Sequence, residues 1–353
     1  MDGIDAALVD FEPSPLKLIS YRQFPVDDQI KQVLRSGELL PTRLGQIDVA
    51  LGLSFSAAVK VLLNETGIDP SQIIAIGSHG QTILHGPNAP YPFSLQLGDP
   101  NIIANETGIQ TVGDFRRRDL AAGGQGAPLA PGFHEYMFRH ADVDRAVVNI
   151  GGIANITILP AARDADVLGF DSGPGNTLLD AWAREHLGVP FDTDGRWARS
   201  GNVDLGLMSK LLADPYLQQQ GPKSTGPEHY NILWLEKIID SSSNAISAQD
   251  TQATLVHFTA ETITQALVQH TQNCREVLIS GGGVHNGELM SVLSDLLTPR
   301  LLTSTADYGL DPDAVEACAF AWLAKRRLEK KPGNMPSVTG ADKSVILGAV
   351  YSG

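Results

Sequence analysis

Three times in this chain an apolar, strand-like run stops at a cluster of glycines, and a helical pattern or a second strand follows. Glycine lets a backbone turn sharply or lie close to another group. The pattern predicts an α/β fold whose tight connections sit at strand ends, and three such ends together suggest a nucleotide laid across a sheet edge.

The richest of the three is VLGFDSGPGNTLLD, residues 167–180. It sets Asp171 at the end of an apolar run, directly before Ser172-Gly173-Pro174-Gly175, which predicts an irregular turn. Asn176 is then the expected cap of a helix whose apolar side carries Leu178, Leu179, Trp182 and Leu187. Exposed amides and the helix dipole would attract phosphate there, beside a carboxylate able to act as a base. A plain strand-to-helix turn with Asp171 as a local cap fits the same residues. The second is RAVVNIGGIANITILP, residues 145–160, in which β-branched runs flank Gly151-Gly152 and predict a tight hairpin. Asn149 and Asn155 fall just outside its glycines, within reach of a ligand over the turn. The third is REVLISGGGVHNGELMSVLSDLL, residues 275–297, where a strand enters Gly281-Gly282-Gly283 and Asn286 caps a helix. Leu289, Val292, Leu293, Leu296 and Leu297 give that helix an apolar face.

Strands and helices alternate on both sides of a glycine- and proline-dense break at residues 123–131, so the chain predicts two α/β domains, 1–125 and 126–353, around a cleft. An N-terminal pair of strands, helical patterns over about 29–67 and a strand followed by Asp99 as cap with Pro100 at the first helical position precede the break. Asp311 and Pro312 predict a late helix start in the same way. The net charge of −14 argues against a nucleic-acid or anionic-membrane surface. Two cysteines, Cys274 and Cys318, make no disulfide framework or zinc pattern. No apolar run is expected to span a bilayer, and the N-terminus lacks signal-peptide character, so a cytoplasmic protein is expected.

Two more places carry chemistry. Asp114, Arg116 and Asp119 share a charged loop whose guanidinium suits a carboxylate or sugar hydroxyls. Glu316 lies in the first turns of the late helix, where it either answers the helix dipole or meets a substrate. His79 and Gln81 stand in a polar segment between apolar ones.

Taken together, SHGQTILHGP, LQLGDPNIIANETG, VGDFRRRDLAAGGQGAPLAP, VVNIGGIANITIL, GFDSGPGNTLLD, KSTGPEHYN, ISGGGVHN, DYGLDPDAVEACAFAWLA and PSVTGADKSVILGAVY follow one another in an order similar to that of the anhydro-N-acetylmuramic acid kinases. The family belongs to the superfamily of actin, sugar kinases and heat-shock ATPases. The resemblance implies two ribonuclease-H-like domains, with ATP and Mg²⁺ in the cleft. It also implies a reaction that opens a 1,6-anhydro amino sugar from cell-wall recycling with water and phosphorylates its O6. It makes Asp171 the general base and assigns His79, Gln81, Asp114, Arg116, Asp119 and Glu316 to the sugar. Asp2, Gly3, Asn149, Gly151, Gly152, Gly173, Gly175, Asn176, Gly281, Gly282, Gly283 and Asn286 fall to the nucleotide, with Asp2 also on the metal. A homodimer is left open.

The resemblance also shows a departure. The family opens with a strand and a phosphate loop similar to MSGTSLDGID, and this sequence starts at the loop's last residues, Met1 to Asp5. Weakened ATP binding with an intact sugar site is the expectation, along with an unpaired neighbouring strand. An impaired sugar-binding relative is the main alternative function. A glycosidase using Asp171 and Glu316 leaves the glycine turns without a ligand, and an actin-like filament has only the superfamily fold behind it.

Overall fold

A computed structural model describes residues 3–12, 14–36, 40–219, 223–241 and 245–353. The chain divides into two compact units, Met1–Met137 with Ala314–Gly353, and Phe138–Asp313. The expected division at 125/126 differs in two ways: it falls short of helix Ala130–Phe138, and it misses the return of the last forty residues to the first unit. That return is made by pairing, because Ala349–Tyr351 lies antiparallel on Thr111–Gly113.

In the first unit the strands are β1 (Ile4–Asp10), β2 (Lys17–Phe24), β3 (Ile76–Gly77), β4 (Gln81–Gly86), β5 (Phe93–Leu97) and β6 (Thr111–Gly113). Its helices up to residue 138 are α1 (Asp28–Ser36), α2 (Pro41–Thr66), α3 (Pro100–Thr107), α4 (Arg117–Leu120) and α5 (Ala130–Phe138). The second unit holds β7 (Arg145–Ile150), β8 (Ile153–Leu159), β9 (Leu168–Pro174), β10 (Glu276–Ser280) and β11 (Leu301–Ser304). Its helices are α6 (Thr177–Leu187), α7 (Arg196–Arg199), α8 (Leu205–Leu212), α9 (Ile232–Asp240), α10 (Ala248–His270) and α11 (Gly287–Leu297). The chain then re-enters the first unit with α12 (Val315–Leu328), α13 (Pro336–Thr339) and β12 (Ala349–Tyr351).

The second unit has one continuous sheet in the order β11-β10-β7-β8-β9. β7, β8 and β9 form an antiparallel meander, while β10 lies parallel to β7 and β11 parallel to β10. A central strand with a meander on one side and parallel strands on the other is the ribonuclease-H-like order that the resemblance implies. Runs such as Ala146-Val147-Val148 and Val277-Leu278-Ile279 are wholly buried, as strands covered on both faces must be. α10 packs on β8 and β9 with Leu255, Val256, Phe258 and Ile263 in the core.

The strands of the first unit fall into three separate ladders: β1-β2, β4-β5 and β12-β6-β3. Its core gathers Ile4, Val26, Ile47, Leu51 and Leu97, with a second cluster of Leu8, Leu62, Leu63 and Ile109. Burying each such side chain contributes about 1.5–3 kcal/mol. α2 is long and apolar enough to cross a membrane by length and composition, contrary to the expectation that no run is. Its Ile47, Leu51, Ala58, Leu62 and Leu63 are instead buried in this core.

Several local signals are realised as their chemistry requires. Asp99 accepts from the Asn101 amide at 2.8 Å and Pro100 opens α3. Asn286 Oδ1 accepts from the Leu289 amide at 3.1 Å and caps α11. Three details differ. α12 begins at Val315, because the Asp311 carboxylate is used by the Asp313 amide in a preceding turn. Leu187 and Leu296 are exposed, so the apolar faces of α6 and α11 are narrower than their spacing suggests. β9 continues through Gly173 to Pro174, because Ile153 and Ala154 of β8 go on pairing with it.

Candidate active site

Asp171 lies in the middle of β9, in register through Asn155 and Asn149 with Ser280, and so level with the carboxyl ends of the parallel strands β7 and β10, where open α/β sheets present ligand groups. Only 7% of its surface is exposed. Asn155 of the neighbouring strand donates through Nδ2 to Oδ1. The other oxygen, Oδ2, accepts from Ser224 Oγ at 3.0 Å and from the Thr225 amide at 2.9 Å. The main chain is tied down as well: the Tyr216 hydroxyl donates to the Asp171 carbonyl at 2.8 Å and the Asp171 amide to the Lys223 carbonyl at 2.9 Å. Burial raises the carboxyl pKa above its ordinary value; the Thr225, Asn155 and Ser224 donors oppose that, and nearby Glu228 adds to it. The result is a fixed carboxylate with increased affinity for a proton.

Ser224, Thr225 and Tyr216 carry no role in the reading of the sequence. For Ser224 and Thr225 the signal was the Lys-Ser-Thr-Gly run inside KSTGPEHYN, a hydroxyl-rich turn whose partner lies about 50 residues away along the chain.

A line of polar side chains leads from Asp171 across the sheet. Asn149 Nδ2 stands 3.5 Å from Asn155 Oδ1, and Ser280 Oγ stands 3.5 Å from Asn149 Oδ1. It ends at Gly281-Gly282-Gly283, which follows β10.

The glycines of this region serve two different purposes. A Cβ on Gly175 would lie 2.3 Å from the Gly151 carbonyl oxygen, one on Gly281 2.6 Å from Asn149 Oδ1, and one on Gly283 2.4 Å from Ile150 Cγ2. Those three are required by packing. A Cβ on Gly151, Gly152 or Gly282 would meet nothing closer than 3.7 Å, and none of these three has positive φ. Neither packing nor backbone geometry forbids a side chain there, so the bare backbone leaves the space above the hairpin and the β10 turn open. Gly173 lies within β9 against Thr262, not in a turn.

The helix N-terminus does not offer the amides expected of it. Gly175 and Thr177 donate to the Gly152 carbonyl at 2.9 and 3.1 Å, and the Asn176 amide donates to Gly151 at 2.8 Å. Asn176 does not cap α6 with its side chain; Nδ2 reaches the Ile150 carbonyl at 3.1 Å. These bonds lock the β9–α6 corner onto the hairpin, and a phosphate at this corner would have to use other donors. Asn286 is likewise engaged in its cap.

The remaining candidates lie in the first unit. Arg116 donates through Nε and Nη2 to His79 Nε2 at 3.0 and 2.8 Å, and through Nη1 to the Gly126 carbonyl at 2.8 Å. Burial, then the Arg116 charge, hold the His79 pKa down to about 3, so the ring is a neutral acceptor; it also stacks on Phe320 at 4.4 Å. Glu316 lines a cavity that also includes Gly3, His79 and Gln81. The carboxylate reaches that cavity, yet surrounding protein raises its pKa, with Asp5 adding to the rise and Arg116 opposing it. Asp114 adopts left-handed geometry at φ 57°, a strained conformation for a residue other than glycine, and takes a two-point ion pair from Arg117.

Asp119 is different from its neighbours. It is wholly buried, and its oxygens accept from the Gly126 amide at 2.7 Å, Asn334 Nδ2 at 2.7 Å and Thr339 Oγ1 at 2.8 Å. Its place is in a network that joins the 119–126 loop to residues 334–339, with no face turned outward. Asp2 lies outside the described residues. Among the described residues no cluster of three or more His, Cys, Asp or Glu gathers, so a divalent ion here would depend on phosphate oxygens for most of its ligands.

The family model for anhydro-N-acetylmuramic acid kinase matches residues 1–353. The anhydro-N-acetylmuramic acid kinase of Coxiella burnetii is 49% identical over 358 aligned residues, covering 100% of this chain and 95% of that protein. Those of Pasteurella multocida and Photobacterium profundum are 47% and 46% identical, each over 99% of this chain and 94% and 96% of their own lengths. With a match along its whole length and identities near one half, this chain belongs to the anhydro-N-acetylmuramic acid kinase family.

Proposed function

We propose that this sugar kinase opens the 1,6-anhydro ring of anhydro-N-acetylmuramic acid with water and transfers the γ-phosphoryl group of ATP to O6, with Asp171 as the general base. The observation that carries the reading is the anchoring of Asp171. A buried carboxylate with raised proton affinity is held by side-chain donors and main-chain bonds, level with the carboxyl ends of β7 and β10 and three strands from a glycine turn with open space above it.

In the proposed reaction, Asp171 accepts a proton from water as the water oxygen bonds to the anomeric carbon. The bond from that carbon to O6 breaks, and the electron pair stays on O6, which then bonds to the γ-phosphorus as ADP leaves. The products are N-acetylmuramic acid 6-phosphate and ADP, and Asp171 releases its proton to solvent. Phosphoryl transfer needs mainly positioning and charge neutralisation, which Mg²⁺ supplies when bound to the phosphates. Gly151, Gly152 and Gly282 give the nucleotide a surface it can approach closely, with Asn149 and Ser280 offering hydrogen bonds beside it. Arg116, His79 and Glu316 supply the polar groups for the sugar.

A role in cell-wall recycling in the cytoplasm follows from that substrate. The test is mass spectrometry of the sugar after incubation with ATP and Mg²⁺: the product should gain one water and one phosphoryl group. A product that gains water alone would make the protein a hydrolase and remove ATP from the account.

A further inference from the structure

Asp214 takes no part in the reaction described above, yet it is a carboxylate with only 7% of its surface exposed, in the connection between α8 and α9. A carboxylate taken out of water needs donors on both oxygens. Oδ1 accepts from the Tyr216 amide at 2.9 Å. Oδ2 has His229 Nε2 at 3.0 Å and accepts from the Trp234 indole Nε1 at 3.2 Å. One side chain therefore gathers two ends of a stretch whose middle reaches Asp171.

The parts of that stretch interlock. The Tyr216 hydroxyl, kept protonated by burial and by the charge of Asp171, donates to the Asp171 carbonyl at 2.8 Å. Lys223 Nζ donates back to the carbonyls of Tyr216 and Leu217 at 3.1 and 3.2 Å and lies 4.7 Å from the centre of the Tyr216 ring. The Lys223 carbonyl accepts from the Asp171 amide, and the next two residues, Ser224 and Thr225, donate to Asp171 Oδ2. At the far end, the wholly buried Tyr230 stands edge-on to both Tyr216 and Trp234, and Trp234 stacks on Phe258 of α10 in the core. A neighbouring strand supplies one donor to the Asp171 carboxylate, Asn155 Nδ2; Ser224 and Thr225 supply theirs from outside the sheet.

We infer that Asp214 is a positioning residue for the base: by fixing Tyr216 at one end and His229 and Trp234 at the other, it holds the 223–225 turn where Ser224 and Thr225 meet the Asp171 carboxylate. The inference rests on the reading of Asp171 as general base and extends it. Two consequences separate it from simple support of the fold. A turn that drifts misplaces the carboxylate and slows the chemical step, since small misplacements of reacting groups are costly. It also withdraws donors that favour the charged form, so Asp171 holds its proton to higher pH. The Asp214 charge alone would act the other way, because removing a nearby negative charge lets Asp171 ionise more readily. Glu228, which raises the Asp171 pKa, and Tyr216 and Lys223 on the same stretch keep their chemistry in the variants below.

The test is Asp214→Asn in the full chain. The amide keeps the size and one accepting oxygen, but its NH₂ group confronts donors. The expected result is a kcat lowered about tenfold or more, with KM for ATP and for the sugar within about twofold of the parent chain, and an acid limb of kcat moved to higher pH. Ser224→Ala should move that limb less in the Asp214→Asn background than in the parent chain, because the two changes remove the same hydrogen bond. Equal movement in both backgrounds would overturn the inference. So would a folded Asp214→Asn with parental kcat and acid limb, or one whose limb moves to lower pH. Where Asp214→Asn does not fold, Trp234→Phe removes one donor and keeps the ring packing; a lowered kcat with the limb at higher pH supports the inference, and no change in either overturns it. Asp171→Asn made in parallel keeps the two readings apart. Near-normal turnover in Asp171→Asn removes the base itself and the inference with it, whereas an inactive Asp171→Asn beside an unaffected Asp214→Asn overturns the positioning role alone.

Discussion

The two units place their candidate chemistry on very different supports. In the second, one continuous five-stranded sheet fixes the register from β11 to β9. Asp171, Asn155, Asn149 and Ser280 hold their positions because neighbouring strands hold theirs. In the first, the strands lie in three ladders, and His79, Gln81 and Glu316 border a cavity between strand edges. The difference teaches that the base is positioned by sheet register together with the 216–225 segment that clasps it, whereas the first unit's polar cluster is positioned by hydrogen bonds such as those from Arg116 to His79 and to the Gly126 carbonyl.

The largest effect should come from breaking the rigid side of this comparison. Gly175→Ala drives a methyl group into the Gly151 carbonyl, and overpacking against backbone costs about 1–3 kcal/mol or more. Thermal melting should show a destabilised second unit. Gly282→Ala meets nothing nearer than 3.9 Å. That variant should melt with the parent chain yet bind ATP more weakly by calorimetry. Equal ATP affinity in Gly282→Ala would show that the open space does not serve the nucleotide.

Acid should separate the units next. His79 and His134 of the first unit both have pKa values lowered to about 3, His79 by burial and Arg116, His134 by burial. Unfolded histidines titrate near 6.5, so below that pH the unfolded state binds more protons than the folded one. The stability contributed by keeping these rings neutral is present above about pH 6.5 and is lost progressively as pH falls toward 3. After correction for the slower intrinsic exchange at acid pH, amide protection at pH 5 should therefore fall more in the first unit than in the second. An equal loss of protection across both units would remove the distinction.

A smaller effect is expected at Ser224. Its hydroxyl lowers the Asp171 pKa against burial. Ser224→Ala should leave the fold intact and move the acid limb of the activity profile to higher pH, because the base then loses its charge earlier as pH falls. An unmoved acid limb would mean that another group sets it.

Much of the second unit was legible in the sequence because its signals are local. Alternating β-branched residues around Gly151-Gly152 specify a hairpin, and Asn286 before an apolar stripe specifies a cap. What escaped was non-local. Nothing near Asp119 in the chain shows that Asn334 and Thr339 will close around it. Nothing near Asn176 shows that the Ile150 carbonyl will claim its amide. The strand through Gly173 and Pro174 persists because β8 continues beside it, a reason that lies about 20 residues away. Ser224 and Thr225 reach Asp171 from more than 50 residues on, and sequence spacing carries no trace of that meeting.

The central claim is that Asp171 takes the proton from the attacking water, and Asp171→Asn tests it most directly. The amide preserves shape and a hydrogen-bonding oxygen but cannot serve as the base; general-base catalysis is worth about 10²–10⁴-fold. The decisive measurement pairs the turnover of anhydro-N-acetylmuramic acid with calorimetric affinities for ATP and sugar in this variant. The account predicts turnover reduced by at least about a hundredfold with both affinities near those of the parent chain. Near-normal turnover with unchanged binding would contradict it.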